Sequence, residues 1–157
     1  MTPEEQISDI SLRKLKGALA LLPFPRPKAV ILAADTEVVF NNVLVGKPSS
    51  VEEAIQTLGR LSGRSHWVIT SVSLFETTNQ SLVQILDRTI VKFENLTDIE
   101  IEKYAQTGDP LDKAGSYGIQ NIPKKFIHSI EGSLTNVIGL PMEKIKDFFK
   151  KQNWVFE

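Results

Sequence analysis

The run Ala29-Val-Ile-Leu-Ala-Ala34 constrains this chain more than any other segment. A short, uninterrupted apolar run of this kind reads as a strand buried on both faces, and such a strand belongs to a sheet with helices packed against it. Pro23, Pro25 and Pro27 stand just upstream and end the preceding helix, because proline lacks a backbone donor and clashes with the turn before it. Asp35 closes the run. Val38-Val-Phe40 and Val43-Leu-Val45 then flank Asn41-Asn42, a pair that tolerates positive φ and predicts a tight hairpin.

The remaining elements follow from capping signals and periodicity. Thr2 as N-cap, Pro3 at the first helical position and Glu5 completing a capping box open a helix. Its apolar stripe is Leu12, Leu15, Leu19 and Leu22. Ser50-Val-Glu-Glu53 is a second capping box, opening a helix through Ile55, Leu58 and Leu61 to Gly63. His66 to Phe75 and Leu82 to Phe93 read as long strands joined by Thr77-Thr-Asn-Gln80. Thr97-Asp-Ile-Glu100 begins a third helix that ends near Gly108. Phe126 to Ile130 reads as a strand, and Pro141 starts a final helix whose Ile145, Phe148 and Phe149 face inward. This order predicts a single α/β domain over residues 1–157: a mixed twisted sheet with flanking helices.

Composition narrows the function. With 18 basic and 19 acidic side chains the net charge is −1, unlike the cationic surplus of a general nucleic-acid binder. Zero cysteines remove disulfides, thiolate metal sites and thiol nucleophiles, and two histidines, His66 and His128, leave little for a His-rich zinc site. No apolar run approaches the roughly 18 residues of a membrane span, and the polar start Met1-Thr-Pro-Glu-Glu5 does not read as a leader, which predicts a soluble cytoplasmic protein. Gly46-Lys47-Pro48 lacks the upstream glycine and the hydroxyl of a phosphate loop. Neither a Gly-x-Gly-x-x-Gly fingerprint nor a Gly-x-Ser-x-Gly elbow occurs.

Three constellations could carry chemistry. Asp35 stands at the carboxyl end of a predicted strand, where ligands gather in α/β sheets; there it could hold a divalent cation or orient a water, or simply introduce the hairpin. Lys47, after a permissive glycine, offers a point charge suited to phosphate, or is a surface turn lysine. Between Leu111 and Gln120, a loop combines Asp112, Lys113, Tyr117 and Gln120 with two glycines. Gln120 can donate and accept in one plane, as reading a base edge requires; the alternative is a well-satisfied structural loop.

Five ordered motifs resemble the Maf family of nucleoside triphosphate pyrophosphatases. They are Ala34-Asp-Thr-Glu-Val-Val39, Gly46-Lys-Pro48, Leu58-Gly-Arg-Leu-Ser-Gly-Arg64, Gly108-Asp-Pro-Leu-Asp-Lys-Ala-Gly-Ser-Tyr-Gly-Ile-Gln120 and Ile130-Glu-Gly-Ser-Leu-Thr-Asn-Val-Ile-Gly-Leu-Pro141. The resemblance implies a fold like that of the inosine triphosphate pyrophosphatases, with substrate in a two-lobed cleft. It also implies cleavage between the α and β phosphates with a divalent cation, Mg²⁺ or Mn²⁺, and pairing as a homodimer. By position, Asp35 is implied as proton acceptor and metal contact, Thr36 and Gln120 in choice of base, and Lys47 beside the phosphates. Lys16 is implied as a second phosphate lysine, and Asp112 and Lys113 as metal or phosphate contacts. Glu131-Gly-Ser-Leu-Thr-Asn136 resembles the branch acting on dTTP and UTP.

The resemblance also implies parts that this sequence lacks: a first strand, a Ser-x-Ser-x-Arg-Arg loop, a helix, a second strand and an acidic segment. The expectation is an N-terminally shortened Maf-like chain with unpaired backbone beside Ala29 to Ala34, an aggregation hazard unless covered. Either the reading frame starts further upstream, which is the preferred expectation, or the chain is a weak or inactive nucleotide-binding or regulatory relative in a family linked to septum formation.

Overall fold

The computed structural model describes residues 1–154; residues 155–157, the end of the predicted domain, lie outside the described residues. Thr2 caps helix α1 (Pro3–Ala20): its hydroxyl accepts from the Glu5 amide at 3.2 Å, while the Glu5 carboxylate accepts from the Thr2 amide at 2.7 Å. Strands β1 (Val30–Phe40), β2 (Val43–Val45), β3 (Ser65–Glu76), β4 (Ser81–Phe93) and β5 (Ile127–Glu131) form one sheet in the order β2-β1-β3-β4-β5. Every pairing is antiparallel. Helices α2 (Val51–Leu61), α3 (Asp98–Ala105), α4 (Leu134–Ile138) and α5 (Met142–Lys151) complete the α/β architecture. Asn41 and Asn42 take φ of 51° and 62°, which turns β1 tightly into β2.

The structure corrects the sequence reading of Asp35. That residue does not end a strand: β1 runs straight through Asp35, Thr36 and Glu37, which register with Ser71, Thr70 and Ile69 of β3. Ten consecutive pairs hold the two strands together, and this ladder outweighs the weak strand preference of acidic residues. The apolar run is also not buried on both faces. Residues 29–37 are half-buried, because β2 pairs only with Val38, Val39 and Phe40. Among the described residues, no strand lies along the outer edge of β1 from Val30 to Glu37. Helix α4 is an addition that no periodic pattern announced; five residues are too few to show one, and Ser133 and Gly139 bracket it.

The two faces of the sheet differ. Helix α1 lies on one of them, where Ile7 packs with Val39 and Ile69. On the other face Val38, Val68, Val91 and Phe93 meet Leu58 and Leu61 of α2 and Ile101 of α3, while Val72 and Leu74 meet Ile145 and Phe149 of α5. The contact between α1 and the sheet also has a polar seam. Ser11, Ser71 and Ser73 are fully buried, with the Ser11 hydroxyl 3.0 Å from Ser71 Oγ and 2.8 Å from Ser73 Oγ.

A buried hydroxyl stripped of its partner costs more than the hydrogen bond itself contributed. Ser73 keeps a second partner in Gln84, whereas Ser71 depends on Ser11. Ser11→Ala is therefore expected to destabilise the fold by about 1–3 kcal/mol. Adding Ser71→Ala should recover part of that loss, because both partners are then gone. Urea denaturation of the two variants and the wild type measures both effects.

Candidate functional site

A cavity of about 310 Å³ opens where the outer edge of β1 runs past the end of β2. Residues 34–38 of β1 form its base. Lys14 of α1, Lys47 from the turn after β2, the segment from Asp112 to Gln120, and Val137 with Ile138 of α4 wall it. Three lysines and three carboxylates line it: Lys14, Lys47 and Lys113 against Asp35, Glu37 and Asp112. The site is thus not at a row of strand ends. It sits mid-strand, beside the part of β1 that β2 does not pair.

Strand alternation sorts the side chains. Asp35 and Glu37, two residues apart, share the face that carries α1. The Lys14 ammonium donates to Asp35 Oδ1 at 2.5 Å and to the Ala34 carbonyl at 3.2 Å. The Asp35 side chain is only 10% exposed, and its Oδ2 is buried without a hydrogen-bond partner. Glu37 Oε2 is likewise buried and unpartnered. Burial, followed by repulsion from Asp35, pushes the Glu37 carboxyl up to about 7, against the pull of Lys47 and Lys14.

Thr36 points the other way. Its hydroxyl lies 2.8 Å from Thr70 Oγ1 and donates to the Gly139 carbonyl at 3.3 Å, while Thr70 donates to the Asn136 carbonyl at 3.0 Å. The buried Asn136 amide adds bonds to the Val68 carbonyl and Thr89 Oγ1, both at 3.0 Å. These contacts seat α4 on the sheet and bring Val137 and Ile138 to the cavity wall.

The segment after α3 is clasped by its own charges. Lys113 Nζ donates to the Asp109 carbonyl and Oδ1, each at 3.0 Å, and to Asp112 Oδ1 at 2.9 Å, so all three of its donors are used. Its hydrogen bonds to Asp112 and Asp109 hold the Lys113 ammonium above its ordinary pKa. Burial pushes Asp109 up, but bonds from Tyr104, Lys113 and Asn121 outweigh it and hold the carboxyl below the usual range. Gly115 has φ of 71°, and a Cβ there would come within 2.5 Å of Val38 Cγ2, so glycine alone lets this segment lie on β1. Its amide donates to the Gly46 carbonyl at 3.2 Å, tying the segment to the turn that carries Lys47. Beneath it, buried Tyr117 and His66 meet at 2.7 Å between Tyr Oη and His Nε2.

The structure thus brings Asp35, Thr36, Lys47, Asp112, Lys113 and Gln120 to one cavity. It does not bring Lys16 there: that side chain is exposed on α1, and Lys14 lines the cavity instead. Lys113 lines the wall with its ammonium committed to its own loop, a different posture from a free phosphate contact. Sequence reasoning missed Lys14 and Glu37. A two-residue alternation carried through Thr36 would have put Glu37 beside Asp35; nothing local distinguishes Lys14 from Lys16. Among the described residues, no cluster of three or more His, Asp or Glu side chains is arranged to hold a metal by itself.

The family model for Maf-like proteins matches residues 1–152. A dTTP/UTP pyrophosphatase of Bdellovibrio bacteriovorus is 45% identical over 148 residues, covering 94% of this chain and 77% of that protein. The dTTP/UTP pyrophosphatase of Vibrio parahaemolyticus is 44% identical over 140 residues, covering 88% and 73%. That of a Geobacillus species is 38% identical over 153 residues, covering 98% and 79%.

The His66–Tyr117 pair under the cavity has a consequence for acid stability. Burial lowers the His66 pKa from 6.5 to about 4. As pH falls, the unfolded chain takes up this proton before the folded one, so stability present above pH 6.5 is lost progressively towards pH 4. The expected loss from this group is about 2 kcal/mol between pH 7 and pH 5. Urea melts at the two pH values should show this decline in the wild type and a much smaller one in His66→Gln, which keeps a polar partner for Tyr117 without titrating.

Proposed function

The chain belongs to the Maf-like protein family, and from that premise we propose that it hydrolyses dTTP and UTP to the nucleoside monophosphate and pyrophosphate in the cavity at the open edge of β1. One observation carries the reading: Asp35, whose Oδ2 is buried without a partner, lines the same cavity as Lys14, Lys47 and Gln120. A carboxylate oxygen left in that state is an acceptor waiting for a proton or a cation.

On this reading Asp35 takes the proton from a water that attacks the α-phosphorus. Lys14 holds the other carboxylate oxygen, fixing the side chain. Negative charge builds on the α-phosphate and on the departing pyrophosphate, and the ammonium groups of Lys14 and Lys47 are the residues that meet it. Gln120 presents a donor and an acceptor to the base, and Thr36 with Val137 and Ile138 forms the wall against which the base rests. Lys113 and Asp112 order the loop that carries Gln120, and they reach the phosphates only by exchanging partners. No side-chain nucleophile is needed, in keeping with a chain that has no cysteine.

The orphaned Asp35 Oδ2 also suits a hard divalent cation, Mg²⁺ or Mn²⁺, for which carboxylate oxygen is a preferred donor. When bound, such an ion supplies positive charge to the reacting phosphates. We read the substrate as a free nucleotide in the cytoplasm. Among the described residues, no helix is long and apolar enough to cross a membrane.

Pyrophosphate release from dTTP and UTP, in Mg²⁺ or Mn²⁺, tests the reading. Asp35→Asn should reduce turnover at least ~100-fold with an unchanged circular dichroism spectrum; a variant as active as the wild type would refute the assignment. Nucleotide binding without any turnover in the wild type would leave a binding module instead. Lys14→Ala is expected to lower kcat/KM at least ~10-fold, since it removes charge stabilisation of the transition state. Lys16→Ala should stay close to the wild type.

A further inference from the structure

We propose that Glu37 is a second protein ligand of the divalent cation at Asp35, so that two carboxylates from one face of β1 grip the metal together. The proposal rests on the nucleotide-hydrolase reading above and deepens it by defining the cation's protein ligands.

Asp35 and Glu37 are next neighbours on one face of a continuous strand, with Cα atoms about 6.6 Å apart, and both line the cavity. A glutamate's extra methylene and an aspartate's short stem let two carboxylates at this spacing converge on a point between them. Mg²⁺ and its stand-in Mn²⁺ are commonly held this way, by one or two carboxylates with water and substrate phosphate oxygens filling the other positions.

Each carboxylate keeps one buried oxygen with no hydrogen-bond donor, Asp35 Oδ2 and Glu37 Oε2. Leaving carboxyl oxygens buried and unpaired is costly, so native structures pair them or place an ion there. Lys14 does not relieve both, because it is engaged with Asp35 Oδ1 and the Ala34 carbonyl. A proton shared between the two carboxyls would neutralise one charge; a divalent cation answers both. With no third acidic or histidine side chain completing a cluster among the described residues, the remaining positions fall to water and phosphate. The metal should therefore bind more tightly with nucleotide present than without it.

Mn²⁺ binding to the full chain, followed by the electron paramagnetic resonance signal of the free ion, tests this in the presence of saturating α,β-imido-dUTP, which resists cleavage at the α–β bridge. Removing even an outer-shell partner of a metal typically weakens binding 10–100-fold, so Glu37→Gln is expected to raise the Mn²⁺ Kd at least ~10-fold. Glu37→Asp should show an intermediate value, and thermal melts should show all variants folded. Weak binding in Asp35→Asn with unchanged binding in Glu37→Gln overturns the role of Glu37. Unchanged binding in both variants, or none in the wild type, also overturns the proposal. Pyrophosphate release by the wild type, measured alongside, tests the hydrolase reading separately: turnover with unaltered Mn²⁺ binding in Glu37→Gln leaves the hydrolase standing and removes only the glutamate.

Discussion

The unbroken antiparallel ladder between β1 and β3 is the constraint on which the rest of this molecule depends. Ten registered pairs carry β1 through Asp35, Thr36 and Glu37 without a bend. Because strand side chains alternate, that continuity sends Asp35 and Glu37 to the α1 side and Thr36 to the α4 side. A break at Asp35 would disconnect the acid pair from Lys14 and free α4 from Thr36. The short β2 matters equally: it pairs with only three residues of β1, and among the described residues no strand runs beside the acidic stretch on that side.

Opposite charges organise the cavity in two different ways. Lys14 and Asp35 form a pair that reaches across from helix to strand, with the lysine half exposed and the carboxylate nearly buried. Such a pair leaves one carboxylate oxygen over, and that leftover capacity is chemically useful. Lys113, Asp109 and Asp112 instead satisfy one another within a single loop. Their role is to set the loop's shape, aided by Tyr104 and Asn121 on Asp109 and by Gly115 pressed against Val38. The free valence therefore gathers on β1, and the loop supplies a rigid opposite wall.

Much of this was legible in the residues. The capping box at Thr2 forms as the spacing predicts, the helix start at Thr97 is found with a box of its own, and the Asn41-Asn42 turn takes its left-handed angles. At the second helix the Ser50 cap forms, but the Glu53 carboxylate turns to the Ser49 amide and hydroxyl, one residue upstream. Asp35, Lys47 and Gln120 could be singled out as chemistry-bearing from residue type and local setting. The errors share a cause. Ending the strand at Ala34 followed local propensity, whereas pairing with a strand some 35 positions away decided the matter. Missing Glu37 followed directly, because a residue placed in a turn has no assigned face.

By itself the sequence determined most of the elements, their order and the chemical repertoire: capped helices, β-rich runs, no thiols, and acids and lysines set among apolar residues. Tertiary structure alone decided which of those groups meet. Lys14 and Lys16 flank buried Leu15 on α1, each about 100° around the helix from it in opposite senses, and no local signal prefers one. The docking of α1 across the sheet, pinned by Ile7, Ser11 and Leu15, turns the Lys14 flank to β1 and the Lys16 flank to solvent. Backbone preference is written locally, but convergence of charges depends on how two elements distant in sequence lie against each other.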